Sequence, residues 1–312
     1  MPRLTVVVPA YNESAVLESF HARLTSVLAE LPLECDVLYV DDGSTDATWQ
    51  LMNGLAARDG RTGAIKLSRN FGKEAALTAG LDHVDADAAI VIDADLQDPP
   101  ELIPALVERW REGFDVVYAT RSARRGETGF KRFTSALFYR SMEHVSEIHV
   151  PRDTGDFRLL SRRALDALRQ LRERQRFMKG LFTWIGYRQT AVYYLREPRQ
   201  AGATKWNYWR LLQLAIEGFT SFSTAPLRLA TWIGVASSLL SFLFGLWVFG
   251  KALLFGNPVH GYPSLMVVIL FIGGVQLLAL GVIGEYLGRN YAESKQRPLY
   301  FIEEQRSARP KR

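Results

Sequence analysis

Near the C-terminus, two stretches run without a charged residue: LATWIGVASSLLSFLFGLWVFG at 229–250 and LMVVILFIGGVQLLALGVIG at 265–284. A helix of about 20 apolar residues spans the hydrocarbon core of a bilayer. Two such runs in succession, joined by the short GNPVHGYPS loop at 256–264, predict a transmembrane hairpin rather than a buried hairpin in a soluble core. Lys and Arg orient it. The 257–264 loop has neither, Arg228 precedes the first run, and Arg289, Lys295, Arg297, Arg306, Arg309, Lys311 and Arg312 follow the second. Positive residues remain on the cytoplasmic side, so a multi-pass inner (cytoplasmic) membrane protein with both ends in the cytoplasm is expected. Lys251, at the outer end of the first run, is an exception that can snorkel to the interface.

The net charge of +5 collects beside these runs and in the tail, where anionic headgroups attract it. No nucleic-acid module is present, so nucleic acid is not an expected partner. The single cysteine, Cys35, excludes an internal disulfide and suits a reducing compartment. The opening MPRLTVVVPAYNE lacks a small-residue cleavage site and is not read as a signal peptide.

The rest of the chain alternates. Short apolar runs at 4–8, 36–40, 64–68, 88–92 and 115–119 read as strands. Helical spacing covers 14–31 (Val16, Leu17, Phe20, Leu24, Val27, Leu28, Leu31), a stretch capped by Ser44 or Thr45 and running to Ala57, and 72–84. This pattern predicts an α/β fold with a parallel sheet covered on both faces, in which ligands bind beyond the carboxyl ends of the strands. Polar clusters lie there: PAYNE at 9–13, DDGSTD at 41–46, SRNFGKE at 68–74 and DADLQDPPE at 93–101. Capping explains part of this polarity, with Asp98 as N-cap, Pro99 at the first helical position and Glu101 closing the box. It leaves Asp93 and Asp95 unexplained. Two carboxylates two residues apart in an extended stretch suit a hard divalent cation that shares its ligands with phosphates, and Gln97 adds a neutral oxygen.

VVVPAYNE, VDDGSTD, SRNFGKEAALTAGL and VIDADLQDPPE resemble the successive motifs of the inverting glycosyltransferases of family 2, which have the GT-A fold. RGETGFKRFTSALFY at 125–139, DTGDFRLLSRRAL at 153–165, AGATKWNYWRLLQLAIEGFTSFSTAPLR at 201–228 and the two-span tail resemble the polyprenyl-phosphate group within that family, the bactoprenol glucosyltransferases and dolichyl-phosphate mannose synthases. The resemblance implies roles for matching positions. Pro9, Tyr11, Glu13, Val40, Asp41, Asp42, Asp93 and Ala94 would bind the nucleotide sugar, and Asp95 and Gln97 would hold Mg²⁺ or Mn²⁺. Asp156 matches a position of base or organiser, against the plainer reading of a loop Asp bonding nearby amides. Arg121, Lys131, Arg132, Arg199 and Lys205 are candidates for the acceptor phosphate, each equally readable as solvated charge. Lys205 stands in ATKW, where Thr204 replaces the commoner Ser and keeps the hydroxyl.

The implied organisation is a GT-A domain at 1–205, an interfacial segment at 206–228 rich in headgroup-seeking aromatics (Trp206, Tyr208, Trp209, Phe219, Phe222), the hairpin at 229–288 and a basic tail at 289–312. The implied reaction moves a hexose from a nucleotide sugar to undecaprenyl phosphate, with inversion, in a homo-oligomer. Glucose from UDP-glucose follows from resemblance alone; mannose, N-acetylhexosamine, galactose and formamido-arabinose stay open. A processive synthase would carry Gln-x-x-Arg-Trp and more spans, and neither is found. A non-catalytic scaffold would not need Asp41, Asp42, Asp93, Asp95 and Gln97 intact.

Overall fold

The computed structural model describes residues 1–121, 154–174, 176–194, 225–255 and 261–308. The first half builds strand and helix in alternation: β1 (Arg3–Ala10), α1 (Leu17–Ala29), β2 (Glu34–Asp41), α2 (Thr48–Arg58), β3 (Thr62–Leu67), α3 (Lys73–Asp82) and β4 (Ala88–Val91). A 3₁₀ turn (Pro100–Leu102) leads into α4 (Ile103–Arg111), then β5 (Val116–Arg121). Then follow β6 (Thr154–Ser161), α5 (Arg162–Gln170), α6 (Met178–Trp184), β7 (Gln189–Tyr194), the long α7 (Ala225–Phe255) and α8 (Tyr262–Ser294), and β8 (Ile302–Arg306).

Continuous apolar runs make the inner strands. Leu4, Val6, Val7 and Val8 of β1 are fully buried, as a strand covered on both faces requires, and each such side chain contributes about 1.5–3 kcal/mol by leaving water. Val6 and Val8 join Phe20 and Leu24 of α1 in one core layer. On the other face α3 presses close: a Cβ on Gly80 would lie 2.3 Å from Val7 Cγ1 and 3.1 Å from Val40 Cγ2.

The sheet order is β7-β5-β6-β4-β1-β2-β3-β8. The β4-β1-β2-β3 block is parallel, as expected. The sheet as a whole is mixed. β6 runs antiparallel between β4 and β5, with Val91 opposite Arg158, and β8 runs antiparallel along β3. β8 falls in the stretch read as a basic tail. Four of its five residues are polar and exposed, which hides it from any hydrophobic pattern, and charged edges of this kind discourage further strand pairing.

Two local expectations change. Ser44 does not cap α2. Its Oγ accepts the Asn12 amide (3.0 Å), while Asp46 Oδ1 accepts the Thr48 amide (3.0 Å) at the helix start. Asp98 does not cap either: it is buried and accepts the Tyr194 hydroxyl from β7. Glu101 turns instead to a two-pronged contact with Arg23 (2.6 and 2.8 Å).

All eight strands and α1–α6 lie in one compact unit, and α7 and α8 in another. Only 6% of the apolar window Ala230–Trp247 and none of Phe271–Ser294 is buried. A soluble-core hairpin would bury such windows, so this pair offers its apolar faces outward.

Candidate active site

The carboxyl ends of four strands meet at a cavity of about 490 Å³. Pro9, Tyr11 and Glu13 come from beyond β1, Asp42 from β2, Asn70, Gly72 and Lys73 from the β3–α3 connection, and Asp93, Ala94 and Asp95 from β4. The loops are zipped together. Asn12, at φ 57°, accepts the Thr45 amide (2.8 Å), Glu13 N–H donates to Thr48 Oγ1 (2.9 Å), and Ser14 Oγ donates to Asp46 (2.6 Å). Asp42 clamps the third loop by accepting the Phe71 (2.8 Å) and Gly72 (3.0 Å) amides. Burial pushes the Asp42 carboxyl up, and those amides pull it part of the way back.

Gly43 makes this assembly possible. Its φ is +66°, and a Cβ there would sit 2.4 Å from the Arg69 carbonyl carbon and 2.6 Å from the Asn70 nitrogen. Gly43→Ala is therefore expected to cost about 2 kcal/mol or more, read as a lowered melting temperature.

The centre of charge is Lys73, the first residue of α3. Its ammonium lies 2.7 Å from Asp93 Oδ2 and 2.5 Å from Asp156 Oδ2. A cation at a helix N-terminus opposes the helix dipole; the two carboxylates offset that cost. Burial alone would lower the Lys73 ammonium, but Asp93 and Asp156 raise it well above the usual lysine range. Burial works against the Asp156 charge, yet Lys73 and then Lys179 hold its carboxyl at about 2. Asp156 reaches this point because β6 runs back beside β4. Arg158, buried on the same strand, donates to the Gly155 carbonyl (2.8 Å) and lies over the Phe182 ring (3.9 Å), which holds the start of β6 that carries Asp156.

Glu74 stands behind this cluster. Burial first, and Asp156 second, push its carboxyl up to about 7. The unfolded chain ionises Glu74 near its ordinary value, whereas the folded one holds the proton to about 7, so stability is lost as pH rises through that window. Glu74→Gln should then stabilise the fold at pH 8 by on the order of 1 kcal/mol, read as a raised melting temperature, and leave stability unchanged at pH 4; thermal melts at the two pH values check this.

The site residues expected from sequence divide. Pro9, Tyr11, Glu13, Asp42, Asp93, Ala94 and Asp95 line the cavity. Asp156 is joined to it through Lys73. Val40 and Asp41 are not on the wall: both are fully buried, Val40 beneath α3 and Asp41 accepting the Ser44 amide (3.2 Å). Gln97 is also buried, at 6% exposure, and its backbone N–H donates to Asp95 Oδ1 (3.1 Å). Arg121 ends β5, while Lys131, Arg132, Arg199, Lys205 and the segment 206–224 lie outside the described residues. Sequence reasoning placed Lys73 only within the SRNFGKE cluster at 68–74 and gave it no role of its own.

Residues 5–169 match the model of glycosyl transferase family 2. The chain belongs to that family. Residues 225–289 match a second model, the GtrB C-terminal hairpin. Among curated relatives of this family 2 chain, an uncharacterised glycosyltransferase of Synechocystis is 52% identical over 96% of this chain and 94% of its own length. A bactoprenol glucosyl transferase of Shigella phage SfV is 46% identical over 97% of this chain and 99% of its own. Among solved structures, glucosyl-3-phosphoglycerate synthase of Mycobacterium tuberculosis, in complex with Mn²⁺ and UDP-glucose, is 20% identical over 70% of this chain and 78% of its own, with a TM-score of 0.48. The strand-end cavity, mixed sheet and family membership together define a GT-A catalytic domain.

Proposed function

We propose that this enzyme transfers glucose from UDP-glucose to polyprenyl phosphate at the cytoplasmic face of the membrane, with inversion at the sugar. The observation that carries this reading is the near-full-length match to a bactoprenol glucosyl transferase, through catalytic domain and hairpin alike. A phosphate oxygen of the acceptor attacks the anomeric carbon, and the bond from that carbon to the UDP oxygen breaks with its electron pair leaving on UDP. The acceptor oxygen is already anionic, so demand for a general base is small. Asp156, held at about 2, is a poor proton acceptor. It acts as an organiser, fixing Lys73 against Asp93.

The donor set suits Mg²⁺ or Mn²⁺. Asp95 offers a hard carboxylate oxygen on the cavity wall, oriented by the Gln97 amide. Mg²⁺ commonly combines one or two carboxylates with substrate phosphates, so its other ligands would be diphosphate oxygens. When bound, the ion would neutralise charge on the departing diphosphate. Two outward-facing apolar helices, and a chain that rejoins its own sheet after the second, fit a hairpin that crosses and returns. Arg121, Lys131, Arg132, Arg199 and Lys205 remain the candidates for the acceptor phosphate, Arg as a fork and Lys as a point charge, and a homo-oligomer follows from the family resemblance.

The test is transfer of radiolabel from a panel of UDP- and GDP-sugars to undecaprenyl phosphate in membranes, with Mg²⁺, Mn²⁺ or EDTA. A single labelled lipid from UDP-glucose is expected, lost in EDTA. Labelling from a different sugar alone overturns the donor, and labelling undiminished by EDTA overturns the metal.

A further inference from the structure

The chain does not end where its membrane helices do. Beyond α8, the Tyr300 hydroxyl donates to Asp82 Oδ2 (2.9 Å) at the end of α3. The Phe301 carbonyl accepts the Ser68 amide (2.9 Å). β8 then pairs with β3, and the Lys66 ammonium meets Glu303 at 2.9 Å. Gly63 on β3 admits this segment, since a Cβ there would stand 3.0 Å from the Ala308 nitrogen. Phe301 itself is 56% exposed, and its ring lies 6.3 Å, centroid to centroid, from Phe71, over which the Arg69 guanidinium sits at 4.1 Å.

Phe71 belongs to the loop that furnishes the cavity with Asn70, Gly72 and Lys73. Residues 68–70 of that loop are exposed, and Gly72 has φ +98°. Ordering such a loop costs about 1–2 kcal/mol per residue. On the cavity side the loop is held by the Phe71 and Gly72 amides on Asp42. On the outer side it is held by the Ser68 amide and the Phe71 ring, and both of these contacts go to Phe301.

We propose that Phe301 is a positioning residue of the donor site: the strand following the second membrane helix straps the 68–73 loop into the geometry in which Gly72 and Lys73 meet the nucleotide sugar. This rests on the donor-site reading above. It gives an exposed phenyl ring a task, and it makes the C-terminal strand part of the catalytic domain's function.

The full chain, in detergent or native membranes, is compared with Phe301→Ala, Phe301→Tyr and, as a control, Tyr300→Phe, which removes only the bond to Asp82. Phe301→Ala should speed hydrogen exchange of the 68–74 amides about tenfold, with β2 unchanged. It should also raise KM for the donor sugar nucleotide about tenfold with kcat within about twofold, as loss of uniform binding requires. Phe301→Tyr, which keeps the ring, should restore both, and Tyr300→Phe should move neither. A merely structural role would lower the melting temperature and leave donor KM alone, and that result overturns the proposal, as does unchanged exchange at 68–74. If the wild-type protein uses no UDP- or GDP-sugar, the donor reading fails, and the exchange measurement still decides whether the strap exists.

Discussion

Asp95→Ala is expected to lower kcat for lipid glucosylation by about 1000-fold in saturating Mg²⁺ or Mn²⁺, the upper range for removing one preorganised electrostatic group from a reaction centre. β4 is short, and it delivers Asp93, Ala94 and Asp95 to the cavity wall together. Asp93 is engaged by Lys73 (2.7 Å), whereas Asp95 is turned by the Gln97 amide (3.1 Å). The two carboxylates are therefore held differently, the first in the internal charge cluster and the second on the cavity wall, where the proposed reading puts the cation. The substitution removes a cavity-lining side chain and no core packing, so the melting temperature should hold. UDP affinity measured in EDTA should match the wild type, while the gain in affinity on adding Mn²⁺ should vanish. Near-normal turnover in either metal would reject Asp95 as the ligand.

Much of this site is legible in the sequence because the parallel block is built from local signals. Continuous apolar runs specify β1 to β4, and each run stops at polar residues that the strand-end rule sends to one edge. The misreadings come from partners far along the chain. Asp98-Pro-Pro-Glu101 looks like a helix cap, but Tyr194 on β7 claims Asp98 and Arg23 on α1 claims Glu101. Ile302–Arg306 has no strand pattern; β3 offers an open edge, and pairing with it makes the strand. Val40 and Asp41 belong to a motif that faces the site, yet β2 is covered on both faces, so only Asp42, one residue further on, reaches the cavity. Asp156 illustrates the same point in reverse. Family resemblance singles it out, but its contact with Lys73 depends on β6 running antiparallel beside β4, which no local pattern of residues 154–161 discloses.

Lys73→Met is expected to reduce kcat by about 100-fold or more and to give the reaction a dependence on Asp156 protonation that Lys73 suppresses in the wild type. In the native site one ammonium serves two carboxylates, Asp93 at 2.7 Å and Asp156 at 2.5 Å. Methionine keeps the length and apolar stem of the side chain and removes the charge. Asp93, whose carboxyl burial already pushes up, and Asp156 are then like charges facing each other, and such a pair cannot stay fully ionised. The sign follows. With Lys73 present, Asp156 is ionised down to about 2, so its contribution is complete above the ordinary carboxylate range and disappears only as pH falls toward that value. Without Lys73 the pair retains a proton at higher pH, and the Asp156 contribution is lost on mild acidification. Transfer by the variant should therefore fall between about pH 7 and 5, where the wild type is flat with respect to this group. Lys73→Arg, which restores charge with a different shape, should recover the flat profile and only part of kcat. Initial rates across that range for the three proteins decide it. A Met variant with wild-type kcat and a flat profile would show that Asp93 and Asp156 do not need the Lys73 ammonium, and would reject Lys73 as the charge that organises the site.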